Sequence, residues 1–145
     1  MFLDYPATCF LKIGCEMMGW RSSPMLSTTT HRRFWSAFGL TANLCKCLWN
    51  LIGEIADQTS LVQARPKHLL WALFFLKQYS SSEINSGISG SDEKTFRKWS
   101  WCFVKLISEL NLVSTILNVC IIIYLIIIIN KHSVLHNRLY GRTGI

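Results

Sequence analysis

The chain has 145 residues, half of them apolar, with 15 Lys and Arg against 8 Asp and Glu and a formal net charge of +7. That length fits one small domain with appendages and excludes a complete large enzyme. The eight acids are scattered, which argues against a multi-carboxylate metal nuclease, and the positive excess points to a polyanion such as nucleic acid or an acidic membrane face.

Residues 1–30 show no sustained hydrophobic period and end in Ser27-Thr28-Thr29-Thr30. They read as an irregular leader. Asp4 and Pro6 stand where an export signal needs positive charge and an apolar run, so no removable signal is expected. Without export the six cysteines read as reduced thiols in an intracellular protein. Cys45 and Cys47 lack a second pair or a histidine at zinc spacing, and the period places Cys47 on the apolar side of a helix. Both therefore read as core thiols.

The middle of the chain, residues 31–111, reads as a run of helices. Phe34, Trp35 and Phe38 form a one-turn apolar face that Gly39 closes. Thr41 can cap the next helix, whose apolar positions Leu44, Cys47, Leu48, Leu51, Ile52 and Ile55 recur at three and four. Arg65-Pro66 opens another, since proline suits the first helical turn. Leu69, Leu70, Leu73, Phe74 and Leu76, widened by Trp71 and Phe75, cover so much of its circumference that it belongs in the interior.

Between Ser82 and Leu110 the pattern predicts a helix-turn-helix. A short helix from Glu83 to about Ile88 runs into Ser89-Gly90-Ser91, where glycine supplies backbone freedom for a tight turn. Asp92 stands at an N-cap position, with an oxygen for the free amides of Lys94 or Thr95. Phe96, Trp99, Phe103, Leu106, Ile107 and Leu110 form the buried seam of the second helix, and Lys94, Arg97, Lys98 and Lys105 its opposite face. Such a helix presents a cationic N-terminal end to the major groove, about 12 Å wide. Arg65 and Lys67 are further candidate phosphate contacts. Trp20, Trp35, Trp49, Trp71 and Trp99 read as packing residues, whereas Trp101 falls off the seam and can lie on a partner surface.

Two strings, Pro66-Lys67-His68-Leu69-Leu70-Trp71-Ala72-Leu73-Phe74-Phe75-Leu76-Lys77 and Asp92-Glu93-Lys94-Thr95-Phe96-Arg97-Lys98-Trp99, resemble the N-terminal region of DDE-type transposases. Within these, the chain is most similar to the PIF/Harbinger-like group, over about His31 to Val113. The resemblance implies an all-α helix-turn-helix module with Lys94, Arg97 and Lys98 as DNA contacts and Thr95 reaching a phosphate. Ser91 departs from the pattern, because an apolar residue normally packs there between the two helices. The family's nuclease needs three acids holding two divalent cations downstream of the module, and no acid follows Glu109. The expectation is a non-catalytic, nuclear DNA-binding fragment without cofactor or metal.

Residues 112–129, opening on Leu112 and closing on Ile129, carry no charge. As a helix they rise about 27 Å, close to the ~30 Å hydrocarbon core of a bilayer. One reading is a tail-anchored membrane protein with a cytosolic helical portion, in which Lys131, His132, Arg138 and Arg142 of the basic tail 130–145 flank the span. A second is a non-native tail, since Ile, Asn, Lys and Tyr are all written with A/T-rich codons, and a third is a buried or continuing soluble helix. No catalytic arrangement emerges: His31, His68, His132 and His136 are scattered, and His132 and His136, four apart, lack a third metal ligand. Gly87 to Gly90 is not a phosphate loop, as no Lys-Ser/Thr stands directly after Gly90. The fold expected is thus all-α, a small helical bundle followed by a long apolar C-terminal helix.

Overall fold

The computed structural model describes residues 3–20, 28–56 and 61–113. Among the described residues the fold is all-helical, without strands: α1 (Ala7–Met18), α2 (Thr28–Phe38), α3 (Ala42–Ile55), α4 (Pro66–Gln78), α5 (Ser82–Ser89) and α6 (Glu93–Val113).

Helix α4 is the hub and packs against each of the other five. Its composition requires this: Leu69, Leu70, Trp71, Ala72, Leu73, Phe74 and Leu76 are all buried, so no solvent face runs its length. Pro66 starts it at the first turn, as the sequence indicates. It ends on Tyr79 in the left-handed region, φ 51°, whose N–H reaches Phe75 O at 2.9 Å. The link to α5 is held by the buried Asn85. Its Nδ2 donates to Ser80 O at 3.0 Å and its Oδ1 accepts from the Ser80 hydroxyl.

The N-terminal segment departs from the expected leader. Residues 7–18 form α1, and Phe10, Leu11, Gly14 and Cys15 are buried in the common core. Phe10 and Leu11, backed by Ile13, Met17 and Met18, carry this segment into the core, and Gly14 lets α1 lie close against the rings of Phe34 and Phe38 of α2. Helix α2 likewise begins at Thr28, three residues before the expected module boundary.

Thr41 caps α3 by accepting from Leu44 N–H at 3.3 Å. The buried face of α3 is Ala42, Cys45, Leu48, Trp49 and Ile52, turned from the face that the spacing indicated. Cys45 is therefore the core thiol, raised in pKa by burial, and Cys47 is exposed. Trp49 sets this rotation. Its ring lies 6.0 Å from Phe103 and 6.2 Å from Phe10, and its Nε1–H donates to Leu3 O at 2.9 Å. On α2, Phe34 and Phe38 are buried, but Trp35 is 48% exposed with the Lys77 ammonium 5.8 Å above its ring. All five cysteines among the described residues are free thiols.

No helix among the described residues is long and apolar enough to cross a membrane. The run 112–129 lies outside the described residues beyond its first two positions, which end α6. So do the basic tail, Cys120, His132 and His136.

Candidate nucleic-acid interface

Helices α5 and α6 are joined by Gly90, Ser91 and Asp92. Gly90 takes φ 69°, the left-handed conformation that closes a helix and that glycine adopts without a Cβ penalty, and its N–H reaches Ser86 O at 3.0 Å. Ser91 is half-buried, and its hydroxyl lies 3.0 Å from the Ser89 hydroxyl. A hydrogen-bonded serine pair thus takes the place of the expected apolar plug.

Asp92 caps α6: its Oδ1 accepts from Thr95 N–H at 2.9 Å. The Thr95 hydroxyl and then its amide hold the Asp92 carboxyl below the usual carboxylate range. Thr95 is half-buried, with both polar groups turned to the cap. It therefore positions the helix start and is poorly placed as a phosphate ligand.

From this start α6 is two-faced. Phe96, Trp99, Phe103, Ile107 and Leu110 are buried, whereas Lys94, Arg97, Lys98, Trp101 and Lys105 are exposed. At about 100° per residue, Lys94, Lys98, Trp101 and Lys105 fall within one narrow outward stripe, with Arg97 at its flank. Arg97 pairs with Glu93 one turn back, while the Lys98 ammonium sits 5.4 Å over the Trp99 ring. Trp101 is 45% exposed and meets Phe75 of α4 edge to face, with ring centroids 5.7 Å apart.

The crossing of α4 and α6 brings further basic residues to this region. Trp71 lies 5.5 Å from Phe96 and carries the Lys67 ammonium 5.4 Å over its ring. Next to it His68, which the sequence gave no reason to single out, stacks on Trp99. Its Nδ1 accepts from Arg65 N–H at 3.1 Å. Burial first, then Lys67 and Arg65, push the His68 pKa down to about 4. A histidine at the third position of a proline-started helix, within reach of the preceding backbone amide, was the one signal available.

No family model, curated protein or solved structure matches the chain. The function is argued from the geometry itself. Among the described residues no three metal-ligating side chains converge. What the site offers is a cationic, partly aromatic helix face, held rigidly by a buried seam on its far side.

Proposed function

We propose that the chain is a non-catalytic DNA-binding module whose α5, turn and α6 act as a helix-turn-helix of the transposase-like kind. Lys94, Arg97, Lys98 and Lys105 contact phosphates, and Asp92 with Thr95 sets the first turn of the helix. One observation supports this above the others: all four cations are exposed along one side of α6 while its other side is buried. Long cationic side chains on a rigid rod match the phosphate-lined walls of a groove. The pairing of Arg97 with Glu93 is exposed, so it yields readily to a phosphate.

Counterion release supplies the test. With about four phosphates neutralised, log K against log salt falls with a slope near −3.6. Fluorescence anisotropy on a labelled duplex reads both affinity and slope. The double reversal R97E/K98E should abolish retention, whereas K12E, on the exposed face of α1, should leave it unchanged. Binding that survives the double reversal, or a slope indifferent to it, removes α6 as the contact surface.

A further inference from the structure

A cleft of about 490 Å³ opens beside the α4–α6 crossing, lined by Leu3, Tyr5, Gln63, Arg65, His68 and Trp99 among others. Its volume falls within the range of small-ligand sites, about 300–1,000 Å³. Three chain segments build it: the stretch before α1, the stretch before α4, and the buried side of α6.

The chemistry of its wall is directional. His68 is only 5% exposed, one of its faces covered by Trp99 and its edge set against Trp71. Because Nδ1 accepts from the Arg65 amide, the ring proton of the neutral imidazole sits on Nε2. Among the described residues Nε2–H has no hydrogen-bond partner, yet it is not an enclosed orphan; Ser100 Oγ alone has that status. The Nε2–H thus opens on the cleft as a fixed donor. Tyr5 supplies aromatic wall, Trp99, covered by His68, only a ring edge, and the exposed Arg65 guanidinium stands at the rim. Among the described residues no acid lines the cleft, and Asp4, between two lining residues, faces Lys46 at 3.9 Å. The Lys98 ammonium, 5.4 Å over the ring of the lining residue Trp99, is the cation of α6 nearest this wall.

A flat, carbonyl-bearing ring with an attached phosphate answers each of these features. We propose that the cleft takes a pyrimidine nucleotide: a base carbonyl accepts from His68 Nε2–H, the ring packs against Tyr5 and the edge of Trp99, and the phosphate pairs with Arg65. The source favoured is an unpaired base in a strand already held on α6, and in that form the proposal rests on the DNA-binding reading above. Extruding such a base costs least where it has no partner.

The test compares a perfectly paired duplex with the same duplex carrying one bulged thymine, by anisotropy, beside a titration with free thymidine monophosphate read by tryptophan fluorescence. The wild-type chain should bind the bulged duplex about tenfold more tightly. H68F keeps a ring against Trp99 but loses the donor, and R65A alters only an exposed side chain. Both should bring the two duplexes to within about twofold, and H68F should leave affinity for the paired duplex unchanged. Equal wild-type affinity for the two duplexes overturns the strand-held form, as does a bulge preference that survives both variants. If the paired duplex fails to bind, the α6 reading fails by itself. Fluorescence quenching by the free nucleotide, lost in R65A and H68F, then establishes the cleft as a free-nucleotide site. Absence of both bulge preference and quenching overturns the proposal entirely.

Discussion

The imidazole of His68 lies face to face on the indole of Trp99, with ring centroids 4.1 Å apart and planes 5° from parallel. This stack ties the first turn of α4 to the second position of the seam in α6. It also buries a titratable ring between two helices, with the cations Arg65 and Lys67 close by.

The stack makes stability depend on pH. His68 has its folded pKa pushed down to about 4 from an ordinary value of 6.5, first by burial and then by Lys67 and Arg65. Between these values the unfolded chain binds the proton and the folded chain does not. Stability is therefore complete above about pH 6.5 and declines as pH falls toward 4, by at most about 3 kcal/mol. Urea unfolding at pH 7 and pH 4.5 measures the difference, and H68F should remove most of it. An unaltered pH slope in H68F would assign the loss to the carboxylates instead.

Gly14 and Gly87 should respond oppositely to alanine. A Cβ on Gly14 would stand 2.5 Å from Phe34 Cε2 and 2.9 Å from Phe38 Cε2, both rings buried and unable to move away cheaply. Gly14→Ala should cost about 1–3 kcal/mol through overpacking. Gly87, inside α5, has nothing within 4 Å of that position. Gly87→Ala should stabilise by about 0.5–1 kcal/mol, because alanine loses less backbone entropy on folding. Thermal melts of the two variants, moving in opposite directions from the wild type, check the pair.

How far the sequence could be read follows from how each element makes its contacts. Helix α4 was legible because nearly all its side chains are large and apolar, so a central position was the one consistent placement. The turn and α6 were legible because Gly90, Asp92 and the seam from Phe96 to Leu110 each carry a local signal. Helix α1 was missed although Phe10, Leu11, Ile13, Met17 and Met18 recur at helical spacing, because no capping side chain or first-turn acid marks its start. The α3 face was misjudged because Trp49, wide enough to dominate the rotation, was outweighed by a run of smaller apolar residues that includes the exposed Cys47. The cations of the interface were readable from one helix alone. The cleft was not, because Leu3 and Tyr5, the stretch from Val62 to Arg65, His68 and Trp99 are brought together only by tertiary packing.

Residues before α1 should matter to the fold, contrary to what a leader does. Trp49 Nε1–H donates to Leu3 O at 2.9 Å, and Tyr5 meets the Trp49 ring edge to face at 5.7 Å. Removing residues 1–18 exposes Trp49 and strips Phe10, Leu11 and Cys15 from the core. Each large buried side chain contributes about 1.5–3 kcal/mol, so the total rivals the stability of a small domain. The truncated chain should lose cooperative thermal unfolding and show red-shifted tryptophan emission. A truncated chain that melts as the full chain does would return this segment to the role of an appendage.

Ser100 offers the opposite case, a buried group whose removal should help. It is 2% exposed in the interior of α6, and its hydroxyl oxygen has no hydrogen-bond partner among the described residues. A hydroxyl taken from water without replacement of its bonds costs about 1–3 kcal/mol. Alanine removes that penalty, leaves only a small void, and has the higher helix propensity. Ser100→Ala should therefore raise stability by about 1 kcal/mol. Ser108, exposed on the same helix with its hydroxyl donating to Lys105 O at 2.6 Å, is the control, and Ser108→Ala should stay within about 0.5 kcal/mol of the wild type. Urea midpoints of the two variants compare them directly. A destabilised Ser100→Ala would mean that the hydroxyl has a bonding partner in solution, most simply a buried water.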